Sequence, residues 1–261
     1  MSFPTSVQGS AGFDKAHTSA KKHRIGTKMV FPDGRVFWYH KSAEAITAGK
    51  ITMGSQTASD HVVDLSVAAA VSAGASQITV TNGGSTAITG SGRYTDDFTT
   101  AGDYEDGYIF TNDSGSDASG EGQIWQIRDH SSAATGATIT IDLYDNESVS
   151  TALTTNSQVG LHKPIGHSVE VWDLSDIDGP PLGTPTRDVT SGYYFWNQSA
   201  GPGMVLTQGT VLLGNEVYTG DTNDGVVEAS ADDNSGEVRI GVVLAAAATT
   251  EYSLVDLQIR Y

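Results

Sequence analysis

Residues 27–40, "TKMVFPDGRVFWYH", decide how this chain is read. Pro32-Asp33-Gly34, set between two apolar runs, is a tight turn joining antiparallel strands. Met29 and Phe31 alternate before the turn, whereas Val36, Phe37, Trp38 and Tyr39 follow it without a break. Successive side chains on a strand point to opposite faces. Val36 and Trp38 therefore lie on one side, Phe37 and Tyr39 on the other, and both sides need a cover. The same pattern recurs at Tyr193, Tyr194, Phe195 and Trp196. Such a strand is either buried on both faces within its own chain or turns one face to another subunit, since interfaces favour Tyr, Trp and Phe. An aromatic platform for sugars is a third reading.

Working outward from the hairpin, short strands and turns dominate. "SQITVTNGG" (76–84), "EDGYIFTND" (105–113), "GQIWQIRDH" (122–130) and "HSVEVWDL" (167–174) read as strands. Ile139, Ile141 and Leu143 alternate in one further run, and Val255, Leu257, Ile259 and Tyr261 in another. "VDLSVAAAV" (63–71) allows a brief helix that Gly74 cuts short. "DGPPLGTPTRD" (178–188) concentrates Pro180, Pro181 and Pro185, which predicts a connector and not a central strand. Strands at roughly ten-residue spacing, with turn signals between them, predict an all-β protein built as an antiparallel barrel or sandwich. No βαβ alternation and no repeat of constant length is visible. The expected organisation is a flexible basic N-terminal arm (1–26), a core β domain (27–60 with 163–261), and an inserted acidic β-rich subdomain (61–162).

Charge is unevenly distributed over the 261 residues. Residues 1–50 hold eight basic and three acidic residues, +5, and residues 51–261 hold six and 28, −22, for a net −17. A basic arm before an acidic body suggests an interaction tail. The acidic body argues against nucleic-acid binding, which needs a basic surface to displace phosphate counterions. No run approaches the roughly 18 apolar residues of a membrane span. The N-terminus lacks the basic start and apolar stretch of a secretory signal. Without cysteine there is no disulfide and no thiolate metal site.

Catalytic signatures are missing. G-x-S-x-G, H-E-x-x-H, G-x-x-x-x-G-K-[ST] and G-x-G-x-x-G do not occur. His162 and His167 are close in "HKPIGH", but a loop with Pro and Gly does not aim two imidazoles at one metal, so exposed loop histidines are expected. Two acidic loops, with Asp113, Asp117 and Glu121 and with Asp221, Asn223 and Asp224, misplace the glycine of a calcium loop and read as solvated turns. Asp96 and Asp97 could imitate a glycosidase pair, a weak signal among 31 carboxylates. No enzyme activity, cofactor or metal is expected.

Several longer strings carry a resemblance. "GTKMVFPDGRVFWY" (26–39), "AITAGK" (45–50), "DGYIFTNDSGSDASGEGQIWQIRDH" (106–130), "TSGYYFWNQSAGPGMVL" (190–206) and "IGVVLAAAATTEYSLVDLQI" (240–259) resemble virion proteins of tailed bacteriophages that decorate, or cement, the capsid. The resemblance runs through most of the chain from residue 25. It implies a β-rich structural protein on the outer capsid surface, made in the host cytoplasm, with the major capsid protein as partner and a homo-oligomer, commonly a trimer, as the working form. A receptor- or glycan-binding tail or fibre module is the alternative. Candidate interface residues are Lys21, Lys22, Arg24, Lys28, Arg35, Phe37, Trp38, Tyr39, Tyr193, Tyr194 and Trp196. The arm, with Phe3 and Phe13, is expected to grip a neighbouring surface that covers Phe37 and Tyr39, and to order only on docking.

Overall fold

The computed structural model describes residues 6–54, 61–81, 100–114, 119–134, 136–173, 179–220, 222–229 and 237–259. They form almost nothing but strands and turns, as expected, and divide into two compact units. One is built from residues 56–164, the other from 3–55 with 165–261.

The strands of the larger unit are β1 (Ser6–Gln8), β2 (His17–Thr18), β3 (Lys28–Val30), β4 (Val36–Lys41) and β5 (Thr52–Gly54). The smaller unit holds β6 (His61–Ser66), β7 (Gln77–Thr81), β8 (Tyr108–Ser114), β9 (Ile124–His130), β10 (Thr138–Leu143) and β11 (Ser157–His162). The larger unit then resumes with β12 (Val169–Val171), β13 (Pro181–Pro185), β14 (Tyr194–Leu206), β15 (Glu216–Thr219), β16 (Val227–Glu228), β17 (Arg239–Ala245) and β18 (Tyr252–Gln258).

In the smaller unit the six strands pair antiparallel in the order β6-β11-β8-β9-β10-β7. The alternation at Ile139, Ile141 and Leu143 places all three in one core with Ile78, Val80 and Ile127. The helix expected over 63–71 is absent: β6 ends at Ser66 and Val67 bridges to Val80. Branched Val62 and Val63 suit a pleated surface. Asp64, at φ 61, makes a bulge opposite Val159–Leu161, so that Val62 and Leu65 both end up buried.

The larger unit is one curled sheet, in the order β1-β3-β4-β14-β18-β17-β15-β16, with β2, β5, β12 and β13 attached beside it. Its long strand β14 pairs with β4 through its first half and with β18 through its second. The curl continues until Thr207, after β14, bridges Val227 of β16. Inside lie Val205, Val211, Val217, Ile240, Val243, Val255 and Leu257. The chain leaves this unit at Gly54, whose backbone lies against the Ile165 carbonyl where the chain returns. The proline-rich stretch is not a connector: Pro181–Pro185 is β13, buried throughout and paired with β14 and β5. Its prolines sit at the two ends of the strand, where no ladder N–H is needed from them, and a register shift at Pro181/Gly183 absorbs the mismatch.

One local motif recurs at uneven spacing. Ile46 and Val189, Val71 and Leu153, and Val211 and Ala247 form isolated antiparallel bridges. Each bridge is closed by a reciprocal pair of backbone N–H to C=O bonds of 2.8–3.2 Å. Each apolar residue enters a β-turn: 47–50, 72–75, 154–157, 190–193, 212–215 and 248–251. The third residue of the turn has positive φ in five cases: Gly49, Gly74, Gly192, Gly214 and Thr250. Variable spacing hides this repeat from a search for constant length.

Candidate interaction surface

The second face of the opening hairpin is covered by the chain's own N-terminus. Phe37 and Tyr39 are 0% and 2% exposed and cluster with Met29, Phe31 and Trp196. β1 pairs parallel with β3, which lays Val7 on this cluster. Gly9 lies so close to the Phe31 ring that a Cβ there would meet it at 2.4 Å. The His23 ring sits 5.1 Å from Tyr39 and 5.3 Å from Trp196, and the Lys22 N–H donates to Tyr39 Oη at 3.0 Å. Burial pushes the Tyr39 phenol up and the His23 imidazole down. Further along, Phe13–Lys15 forms a 3₁₀ turn that buries Asp14 against Arg35 at 3.3 Å. Thr186 Oγ1 donates to the Asp14 carbonyl, and Arg187 donates to that of Lys15. From Ser6 onward the arm is therefore folded onto its own unit, which corrects the expectations of a flexible arm and of a neighbouring surface as the cover. Phe3 lies outside the described residues; Phe13 is 51% exposed.

This separates the candidate residues. Phe37, Tyr39 and Trp196 are core. Arg35 is held between Asp33 at 2.9 Å and Asp14, over the Phe31 ring. At the surface remain Lys21, Lys22, Arg24, Lys28, Trp38, Tyr193 and Tyr194, all exposed or half-buried. Lys28 Nζ stands 5.6 Å over the Trp38 ring, and Lys41 Nζ stands 5.9 Å over Tyr194. The indole N–H of Trp38 donates to Ser199 Oγ. Lys28 and Trp38 stand on one face of the β3–β4–β14 sheet, and Lys41 and Tyr194 on the other, beside Tyr39 and Trp196.

On the Trp38 face of the sheet lies a buried polar chain. Asn197 Nδ2 donates to Thr52 Oγ1 at 2.8 Å and lies 3.3 Å from His40 Nδ1; Thr52 Oγ1 donates to the Gly183 carbonyl. Burial pushes the His40 imidazole down to about 3. Sequence pattern alone could not single out His40, which simply continues an aromatic run.

No group of three or more His, Asp or Glu able to hold a metal occurs among the described residues. His162 and His167 belong to different units, the first in β11 and the second in a 3₁₀ turn, and neither is an exposed loop residue. Instead His162 stacks on His61 at 6.1 Å, a pairing made by the β6–β11 ladder. Asp96, Asp97, Asp117 and Asp221 lie outside the described residues.

Sequence reading also missed a groove of about 640 Å³ in the larger unit. Met204, Tyr252 and Leu254 supply its apolar lining, and Asp14, Lys15 and Arg35 its charged lining, with Asp14 paired to Arg35. Thr184 lines it with a buried hydroxyl that has no hydrogen-bond partner among the described residues. Met204 pairs with Leu254 across β14 and β18, with Tyr252 two residues away on the same face; Met204 and Tyr252 are 49% and 45% exposed.

Comparison with family models, with curated proteins and with solved structures finds no match to this chain.

Proposed function

We propose that this is a structural protein of a tailed-phage virion, one that decorates and stabilises the capsid by binding the outer surface of the major capsid protein shell as a homo-oligomer. The trimeric state rests on the resemblance of the quoted strings. The observation that carries the reading is the uneven placement of cations, 11 of the 14 lying outside residues 56–164. The larger unit bears lysine–aromatic pairs on both faces of the β3–β4–β14 sheet, Lys28–Trp38 and Lys41–Tyr194, whereas residues 56–164 carry 14 acidic and three basic residues. Lysines seated on aromatic rings that packing holds in place suit an acidic protein surface. An acidic second unit suits a crowded particle, where like charge keeps neighbouring copies apart. Such a protein needs affinity at many identical sites and no chemistry.

The test is location. Purified particles of the phage that carries the gene should contain the protein at a fixed ratio to the major capsid protein, and imaging should place it on the shell. Lys28→Glu with Lys41→Glu should lower occupancy on shells lacking the protein, and the residual binding should be less sensitive to salt. Density at the tail tip, with bare shells, would replace this reading by the tail or fibre module.

A further inference from the structure

The smaller unit carries a matched pair of imidazoles where its chain path begins and ends. His61 opens β6 and His162 closes β11, the first and last strands among the described residues of the unit. The β6–β11 ladder sets the two residues directly opposite each other. Their ring centres are 6.1 Å apart, their planes lie 18° from parallel, and both side chains are half-buried. On its other flank His162 pairs with Tyr108 of β8, which is 43% exposed. Lys163, the next residue, is engaged elsewhere: its ammonium lies 4.0 Å from Asp103 and 5.4 Å from the centre of the Tyr104 ring.

Imidazole nitrogen suits zinc, copper and nickel ions, and the tautomer of one ring is already set for that role. The His162 Nδ1–H donates to the Lys163 carbonyl, which can only accept, so the lone pair of this ring resides on Nε2. Metal-bound histidines are held by the same kind of bond from their second ring nitrogen. The two rings are also within reach of one ion. Opposed strand residues have Cβ atoms about 4.5–5.5 Å apart. With Zn–N bonds of about 2.0–2.1 Å, two imidazoles on one tetrahedral ion have ring centres about 5 Å apart. Turns about the broad terminal torsion of histidine close the present 6.1 Å to that separation. The local field favours a cation, since residues 56–164 carry 14 acidic and three basic residues.

We infer that His61 and His162 together bind one divalent ion of the zinc, copper and nickel group, which clips β6 to β11. Two imidazoles leave the remaining coordination positions to water, so the ion is exchangeable and a chelator removes it. Its role is structural. The clip closes a loop of about one hundred residues, and a cross-link restrains the unfolded chain more the longer the loop it closes. Without a shared ion the pair is a poor one, because like charges directly opposite on a ladder repel once both rings are protonated. The inference is independent of the virion reading above.

The experiment uses the full chain without a purification tag, stripped of metal by EDTA and dialysed. Titration with Zn²⁺ should show a tightest site of one ion per chain. His61→Gln and His162→Gln each remove one imidazole and should weaken that site by about tenfold or more. His17→Gln, in the other unit, should leave it unchanged. Bound Cu²⁺ should show two ring nitrogens in its EPR hyperfine pattern, and one in either variant. Excess Zn²⁺ should raise the melting temperature of the wild type above its value in EDTA, a shift that both variants lose. His61→Gln and the wild-type EPR pattern keep the test decisive should His162→Gln fail to fold. A wild type that binds no ion, a folded variant that binds as the wild type does, or a single nitrogen on the wild-type Cu²⁺ would each overturn the inference.

Discussion

Thr250 holds φ 67 in a turn position where four sibling turns use glycine. For a branched residue the left-handed region costs about 1–2 kcal/mol, while glycine loses about 0.5–1 kcal/mol through its freer unfolded chain. Thr250→Gly keeps the N–H that bonds the Thr207 carbonyl. It should therefore raise stability by up to about 1 kcal/mol, read as a shift in the urea midpoint at constant slope; a lowered midpoint would refute the strain. At His40 the sign of the pH dependence follows from burial. The folded state holds the imidazole neutral down to about 3, whereas the unfolded chain protonates near 6.5. Between those values the unfolded state binds the extra proton. The stabilising contribution is thus complete above pH 6.5 and is lost as pH falls toward 3, by at most about 1.4 kcal/mol per pH unit. His40→Gln should flatten that part of the stability profile, and an unchanged slope would place the acid sensitivity elsewhere.

Among the elements, the N-terminal arm differs most from its reading in sequence. Residues 1–26 lack periodicity and are rich in Gly, Ser and Lys, the signature of a chain that cannot bury enough to fold alone. That signature is correct as far as it goes, because the arm has no core of its own. It is ordered by what it covers: Val7, Gly9 and His23 lie on Phe31, Tyr39 and Trp196. Deleting residues 1–24 should uncover a cluster whose large side chains each contribute about 1.5–3 kcal/mol on burial. A strong drop in melting temperature is expected, together with binding of a hydrophobic dye. An unaltered melting temperature would mean that the cover is dispensable. β13 makes the same point in reverse: the prolines predicted a connector, yet neighbours on both sides make the stretch a strand, since its ends need no N–H and its middle pairs.

At the scale of the whole molecule, the two units have separate cores, and the chain leaves and re-enters the larger one at adjoining residues, Gly54 and Ile165. Replacing residues 56–164 by a short Gly-Ser linker should leave the larger unit folded, with a cooperative transition of its own by calorimetry. A linker protein lacking a cooperative transition would show that the larger unit depends on the smaller.

The sequence by itself determined the class of this protein and its uneven charge. Alternation at 139–143 and 255–259, turn residues at short intervals, and the shift from +5 to −22 sufficed for an all-β chain with a basic beginning and an acidic remainder. These signals are local, so a linear reading captures them. Which of the eleven candidate interface residues stand at the surface was a tertiary matter, because Trp38 and Trp196 have the same local pattern and differ only in what crosses over them. The partner of each turn, the fold of the arm and the groove were likewise settled by contacts between residues far apart in the chain. A strand's pattern states that a face must be covered, and only the closed sheet supplies the cover.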